Sequence, residues 1–556
     1  MRDHYSTRAF EGCDSRGGLY CVGDNSPTNH QTAVGMSSRH SLVVCAHLLI
    51  LGVAASASAQ EAGPVPNRCA TNPAITSLTS SPSWNGWGAD ADNARFQPAA
   101  ATLVSAATVP RLKLKWAFGF PEARAVSGQP AVVAGRVFVS ADTGDVYALD
   151  SISGCAYWSF HADAAVRSSV TVDRPTAGRP YAVFFGDARA NTYALDAATG
   201  VQLWKVHVDD HPLARITGGL RFFEGRVYVP VASGEEGAGG NPEYECCTAR
   251  GSVVALDAAT GTQIWKTYAI PESPRPTTKN AAGTQLWGPS GAGVWNSPTI
   301  DPKRRALYVG TGNGYSAPAA ATTDAILAMD LDSGKMLWSV QGTAHDVWLS
   351  ACLRTPGPSC GPDQDFGSPP ILRTLPDGRS LLVAGQKSGN VWAYDPDDKG
   401  RVVWRSPLVD NTTEFGGKIV WGGAADDQNA YFGLGPGGIA AVRLRDGQRQ
   451  WFVSLQPAGS PARPGQDGAL TVVPGAVISG GWDGVLRVLA SSDGHTLWEF
   501  NTLRSFETVN GVEATGGSMG AAGPVVAGGL MFVPSGYVGV RNGAPGNVLL
   551  VFGVEP

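Results

Sequence analysis

A chain of 556 residues, 43% of them hydrophobic and 16% charged, has ample apolar material for a large core and fewer charges than the roughly 25% of an average globular protein. Its net charge of −5 argues against nucleic acid or an anionic membrane as partner, since both select a basic surface. Glycine (71) and proline (38) make up about a fifth of the chain and 16 tryptophans accompany them, a composition that suits a large all-β chain of short strands and tight turns.

The first feature in chain order is a secretory pattern set back from the N-terminus. Arg39 and His40 precede an apolar stretch from Leu42 to Ala55, and Ala57-Ser58-Ala59 follows as an A-x-A cleavage pattern. The stretch is shorter than the about 20 apolar residues of a membrane span, and His47 interrupts it. Met36 stands just ahead of it. The expectation is therefore an upstream extension over 1–35, a signal peptide over 36–59, and a mature domain over 60–556 that is periplasmic or secreted, with no membrane span. A real disordered leader is the alternative for 1–35. Three cysteines (Cys13, Cys21, Cys45) precede the cleavage pattern and six follow it, an even number as an oxidising compartment favours. Cys352 and Cys360 can close a short loop, and Cys69 with Cys155 is a pairing by elimination. Cys246 and Cys247 are adjacent; a ring between them is expected, because successive strand side chains point to opposite faces and seldom both reach distant partners, although the count of six permits other pairings.

From residue 146 onward one phrase recurs: a β-rich run ending in Leu-Asp or similar, a Gly-containing turn, and a strand carrying Trp. It reads Val146-Tyr-Ala-Leu-Asp150, Gly154, Trp158; then Asp196, Gly200, Trp204; Asp257, Gly261, Trp265; and Asp330, Gly334, Trp338. Looser copies end in Trp404, Trp451 and Trp498, which makes seven. Each copy is a β-hairpin, with the Gly supplying the positive φ of its turn. The Trp spacings are 46, 61, 73, 66, 47 and 47 residues. The short ones match one four-stranded propeller blade, and the long ones imply loop insertions. Val548–Phe552 supplies an inner half without a Trp strand, and Leu112–Phe118 supplies a Trp strand without an inner half. Pairing the two closes the ring and removes both exposed edges. The fold predicted is an all-β, eight-bladed β-propeller in which the repeated tryptophans serve inter-blade packing.

Propellers carry function on the loops at one end of the axial channel. Four segments stand out there: Ala232-Ser-Gly-Glu-Glu236 with the insertion holding Cys246-Cys247; Trp295-Asn-Ser-Pro; Gly310-Thr-Gly-Asn313-Gly-Tyr; and His345-Asp346-Val-Trp348 with Lys387 in the next blade. Each alone reads as an ordinary loop. Together they offer oxygen ligands, a cation, a carboxylate and a flat aromatic surface, which suits a hard cation such as Ca²⁺ beside a planar anionic cofactor.

The repeats and these segments resemble the pyrroloquinoline quinone (PQQ)-dependent alcohol dehydrogenases over nearly all of the mature chain. The resemblance implies that Glu236, at the end of Ser233-Gly-Glu-Glu236, and Asn313, of the Gly-x-Gly-Asn turn, are Ca²⁺ ligands. It implies that Trp295, seven residues before Pro302, stacks on PQQ, and that Lys387 reaches the quinone oxygens. A vicinal cysteine pair caps the other face of PQQ in several members; here Cys246-Cys247 lies in a different blade from that of the methanol-dehydrogenase-like branch. Many relatives read His-Asp-x-Trp-Asp where this chain has His345-Asp346-Val-Trp348-Leu349. Leu349 removes the second carboxylate, so Asp346 is the expected catalytic base, with His345 as the alternative.

The likeness is greatest to the polyvinyl-alcohol dehydrogenase branch, through Cys246–Ser252, Asp346–Cys352 and Thr508–Gly520. Members of that branch commonly carry a cytochrome c segment, whereas this sequence has no Cys-x-x-Cys-His. Electrons are then expected to pass to a separate acceptor, a c-type cytochrome. The implied function is oxidation of an alcohol, a secondary one, with PQQ and Ca²⁺. The competing reading is a cofactor-free propeller that acts as an outer-membrane assembly scaffold through protein contacts, because fold alone does not settle function.

Overall fold

The computed structural model describes residues 67–79, 81–355, 360–409, 418–455, 465–539 and 543–555. The expected upstream extension, signal peptide and cleavage pattern lie outside the described residues.

Every repeat forms the last two strands of an antiparallel blade, and eight blades follow one another among the described residues, seven of four strands and the third of five. Blade 1 is typical: Ala131–Val133, Arg136–Ser140, Asp145–Asp150 and Ala156–His161. Blade 8 takes Val525–Ala527, Leu530–Ser535 and Val548–Val554 from the C-terminal end and its fourth strand, Leu112–Gly119, from the N-terminal end. The ring closes as predicted. The two middle strands of a blade are almost wholly buried, while fourth strands such as Gln202–His207 alternate between exposed and half-buried residues. The apolar core is a circle of clusters, each filled from two neighbouring blades; one combines Val137 and Leu149 of blade 1 with Phe532 and Leu549 of blade 8.

The repeated turn explains the spacing of the phrase. In blade 1 Asp150 accepts hydrogen bonds from the Ile152 and Ser153 amides and the Ser153 hydroxyl, and Gly154 turns the chain at φ +70°. That glycine lies against the tryptophan of the preceding blade. A Cβ at Gly154 would stand 2.8 Å from Trp116, and one at Gly200 would stand 2.7 Å from Trp158. The pattern continues through Gly261 on Trp204, Gly334 on Trp265, Gly400 on Trp338, Gly447 on Trp404 and Gly494 on Trp451. The indoles also donate to backbone carbonyls of the next blade, Trp158 to Ala197 and Trp204 to Ala258.

One element has no signature in the repeats. The segment from Trp84 to Gln97 runs across the first strands of several blades, hydrogen-bonding at Val132, Leu372, Val472 and Val526. Arg95 is its anchor. Fully buried, it lies within 4.9–5.2 Å of the Trp84 and Trp87 rings, donates to Leu470, Trp87, Gln129, Thr471 and Pro524, and has its pKa lowered to about 9 by burial.

Strand alternation decides where loops can gather. In an antiparallel blade the connection from strand two to three and the connection onward to the next blade emerge at the same end. The long insertions are of these two kinds: 234–251 in blade 3, 269–298 between blades 3 and 4, 311–324 in blade 4, and 342–370 between blades 4 and 5. They therefore share one mouth of the propeller, opposite the Asp-Gly turns.

Candidate active site

Five of the residues singled out by the sequence come from five separate loops at that mouth, and the structure brings four of them around one buried charge cluster. Lys387, in the turn from strand two to three of blade 5, is its centre. Its Nζ donates to Asp363 Oδ1 at 2.7 Å and to Asp365 Oδ2 at 3.0 Å, and stands 5.4 Å from the Trp295 ring centroid. The Trp295 indole donates to Asp365 Oδ2 at 3.2 Å, and the Asn313 amide N–H donates to Asp365 Oδ1 at 3.2 Å. Asn313 Nδ2 donates to the Trp348 carbonyl at 2.9 Å, which leaves the side-chain oxygen as its ligand atom. Glu236 accepts from the Ser350 hydroxyl at 3.5 Å and interacts electrostatically with Lys387, Asp365 and Asp363.

The loops are seated by backbone contacts. Phe366 N–H donates to Thr311 and Lys387 N–H to the Asp365 carbonyl, laying the Asp365 segment between the Asn313 and Lys387 turns. Glu236 lies in a single helical turn, Glu235–Ala238. Its neighbour Glu235 is fully buried and accepts from the Thr248 and Ala249 amides and the Tyr244 hydroxyl, tying the helical turn to the loop after Cys247. Trp295 rests on Gly367, where a Cβ would lie 1.9 Å from its ring.

The electrostatics follow from burial and pairing. Burial opposes ionisation of Asp363, but Lys387 and Lys418, whose Nζ lies 2.6 Å from Asp363 Oδ2, outweigh it and hold the carboxyl below the usual range. Burial raises Asp365 despite Lys387. Burial pushes Glu236 up to about 7, with Asp365 and Asp363 adding to the effect and Lys387 opposing it. The site is thus rich in carboxylates and short of positive charge.

Asp346 borders this set through the segment that carries Asp363 and Asp365. It is fully buried, its Oδ2 accepts from the Gln364 amide at 2.8 Å, and its Oδ1 has no partner. It supports the loop that carries Asp363 and Asp365 and makes no hydrogen bond to Trp295, Asn313 or Lys387. Burial pushes it up to about 6, with Asp365 and Asp363 adding to the effect and the Gln364 amide opposing it. His345 is exposed, with φ +60°. A further carboxylate that the sequence reading did not name, Asp365, follows a loop closed by the Cys352–Cys360 disulfide and joins the Lys387 cluster. The sequence signal was the acidic pair in Gly361-Pro-Asp-Gln-Asp365-Phe-Gly, which the His-Asp-x-Trp context overshadowed.

Cys246 and Cys247 form a disulfide with each other, and Cys69 pairs with Cys155. The vicinal pair is buried beside Ala249 and Tyr315, with Tyr244, Leu286 and Leu349 against it, and bonds through its backbone to Trp287 of the 269–298 insertion. Gly239 faces both sulfurs; a Cβ there would lie 2.6 Å from Cys246 Sγ.

No group of three or more His, Cys, Asp or Glu gathers as a metal site among the described residues. The oxygen donors available to a cation are two carboxylates, Glu236 and Asp365, and the Asn313 amide. Such a set fits a hard, oxygen-seeking cation, and the raised Glu236 marks where positive charge would be stabilised.

Residues 101–278 match the family described as outer membrane protein assembly factor BamB, and residues 231–405 match the glucose/ethanol/alcohol dehydrogenase β-propeller domain. Over 505 residues the chain is 41% identical to a polyvinylalcohol dehydrogenase of Pseudomonas sp, covering 86% of this chain and 78% of that protein. It is 38% identical to a polyvinylalcohol dehydrogenase of Sphingopyxis sp. (strain 113P3), covering 88% and 79%. Among solved structures, the quinohemoprotein alcohol dehydrogenase from Comamonas testosteroni superposes with a TM-score of 0.65 at 20% identity, over 86% of this chain and 81% of that one.

Proposed function

The chain belongs to the PQQ-dependent alcohol dehydrogenase family, and from that premise we propose that it oxidises a secondary alcohol of the polyvinyl-alcohol type with PQQ and Ca²⁺, as an exported enzyme that passes electrons to a separate carrier such as a c-type cytochrome. The observation that carries this reading is the convergence of Trp295, Asn313 and Lys387 on the single carboxylate of Asp365. Among the described residues no helix is long and apolar enough to cross a membrane, which is compatible with export.

When bound, PQQ would supply the two-electron acceptor and Ca²⁺ the Lewis acid. Glu236 and the Asn313 oxygen hold the cation. Trp295 offers a flat face for stacking, Cys246-Cys247 a second apolar surface, and Lys387 an ammonium for the cofactor's oxygen atoms. Asp365, in place of Asp346, takes the hydroxyl proton of the alcohol: burial raises its pKa, which makes it a stronger base than an exposed carboxylate, while Lys387 opposes the rise. Asp363 positions Lys387 and Lys418.

The test is reconstitution. Purified protein stripped with chelator should regain dye-linked oxidation of secondary alcohols when PQQ and Ca²⁺ are added together, and with neither alone. Activity surviving exhaustive removal of both would overturn the assignment. Tight PQQ uptake with no alcohol oxidised would leave the cofactor and reject the substrate class.

A further inference from the structure

A second cleft, of about 400 Å³, opens on the outer side of the propeller between blades 2 and 3. It is bounded by the fourth strand of blade 3, Gln263–Tyr268, by the connection His207–His211 from blade 2, and by Thr248–Arg250 of the loop after Cys247. Its charged groups are already matched. Lys266 Nζ lies 2.7 Å from Asp209 Oδ2 and donates to the Val208 carbonyl at 2.9 Å, and both side chains of the pair are largely buried. Arg250 donates to the Ile270 and Pro271 carbonyls and lies 3.8 Å over the Tyr268 ring. Asp210, the remaining acid of the lining, is exposed. An ionic ligand would find no buried charge left to pair with.

What stays unspent is neutral hydrogen-bonding capacity. The Gln263 amide and the Tyr268 hydroxyl bond to no described residue. His211 Nδ1 accepts from the Leu213 amide at 3.2 Å, so Nε2 carries the proton and donates to Thr248 Oγ1 at 3.1 Å. The exposed Thr248 hydroxyl therefore keeps its own hydrogen to give. Gln263 and Tyr268 stand at the two ends of one strand, about 17 Å apart, so these groups are strung along a line. Neutral donors and acceptors in a line suit a flexible chain of hydroxyls, each of which both gives and accepts. The cleft also adjoins the candidate active site. Thr248 and Ala249 give their amides to Glu235, and Glu236, which interacts with Lys387, follows it in the same helical turn.

We propose that this cleft is a remote subsite for a polyhydroxylated polymer chain, holding hydroxyls several units away from the one that is oxidised. The proposal rests on the substrate class given above and adds where the rest of a polymeric substrate is held. Remote contacts raise the local concentration of the chain at the site without changing the chemical step, so they favour long chains over small alcohols at low concentration.

Calorimetric titration of the full-length apoprotein, free of PQQ and Ca²⁺, with poly(vinyl alcohol) reads the cleft without turnover. The double variant Gln263→Ala, Tyr268→Phe keeps the ring under Arg250 and should bind the polymer about 10-fold more weakly with Tm unchanged, as expected for the loss of two neutral hydrogen bonds. In the reconstituted enzyme the same variant should show a KM for the polymer raised about 10-fold with kcat unchanged, and both constants for 2-butanol as in wild type. A wild-type apoprotein that binds no polymer refutes the subsite, as does a double variant that binds it as tightly as wild type. An equal rise in KM for 2-butanol also refutes it, because the substitutions would then act on the active site itself. The substrate reading fails separately: it is rejected by a wild-type enzyme that holds PQQ and Ca²⁺ and oxidises neither the polymer nor 2-butanol, whereas the cleft stands or falls by the titration.

Discussion

At the end of the propeller where strands three and four meet, successive blades repeat one joint, a glycine of positive φ seated on the neighbouring indole, seven times from Gly154 on Trp116 to Gly494 on Trp451. The eighth joint falls where the chain termini meet, and there Trp498 packs edge-on against Phe552, 5.5 Å away. At the opposite end no two loops are alike. Glu236, Trp295, Asn313, Asp365 and Lys387 each occur once, in different insertions, and each has meaning only through the others. The joints depend on local chemistry restated many times; the site depends on long-range placement stated once. Damage to a joint should therefore lower stability and spare chemistry, and damage to the site should do the reverse.

The largest effect is expected from Asp365→Asn. The amide keeps one acceptor oxygen, for either the Trp295 indole or the Asn313 amide, but cannot take a proton, so turnover of the reconstituted enzyme should fall by roughly 10²–10⁴-fold with PQQ uptake largely retained. Stopped-flow reduction of the bound cofactor, alongside a binding titration, separates the two. Loss of PQQ binding with unimpaired turnover of the residual holoenzyme would remove Asp365 from the role of base.

What the sequence made legible divides along the same line. The blade number, the ring closure through Leu112–Gly119 and Val548–Val554, and the packing of the repeated tryptophans follow from a pattern that recurs. Glu236, Trp295, Asn313 and Lys387 could be named through motif resemblance, and the folded chain brings them to one mouth. Asp365 was missed because it lies past the Cys352–Cys360 loop, outside the His-Asp-x-Trp motif, and joins Trp295, Asn313 and Lys387 only in the folded chain. Asp363 and Lys418 are an acid and a base in loops until they meet at 2.6 Å. Arg95 carries information in bonds reaching as far as Pro524. Such information has no local sequence pattern.

An intermediate effect comes from paired glycine substitutions, one in each region. Gly200→Ala forces an alanine to φ +76° and puts its Cβ 2.7 Å from Trp158, so both backbone strain and overpacking apply. A loss of about 2–4 kcal/mol follows, seen as a lower calorimetric Tm with kcat unchanged. Gly367→Ala needs no positive φ, but its Cβ would meet the Trp295 ring at 1.9 Å and must displace it. PQQ affinity should drop by about 10-fold or more while Tm moves little, since stacked aromatic contacts contribute on the order of 1 kcal/mol beyond area burial. If Gly200→Ala impaired turnover as much as Gly367→Ala, the two ends would not be separable and the comparison would fail.

The smallest effect on chemistry is expected from Asp346→Asn, which also asks whether the base lies where the His-Asp-x-Trp motif suggested. Asp346 is fully buried with one oxygen unsatisfied, and burial pushes its pKa up to about 6, whereas an unfolded aspartate titrates near 3.9. Between those values the folded apoprotein retains a proton that the unfolded chain has released. Stability associated with Asp346 is thus fully present below about pH 4 and is lost as pH rises through about 6. Asparagine can still accept from the Gln364 amide, offers an N–H₂ where the orphan oxygen stood, and does not ionise. Asp346→Asn apoprotein should therefore match the parent near pH 4 and melt higher than it at pH 7, with turnover after reconstitution within about threefold of wild type, as expected of a group that supports a loop without transferring a proton. A fall in turnover of about 10²-fold or more with PQQ still bound, set against a mild Asp365→Asn variant, would return the proton to Asp346. The loop closed by Cys352–Cys360 would then have moved a structural carboxylate and left the catalytic one in place.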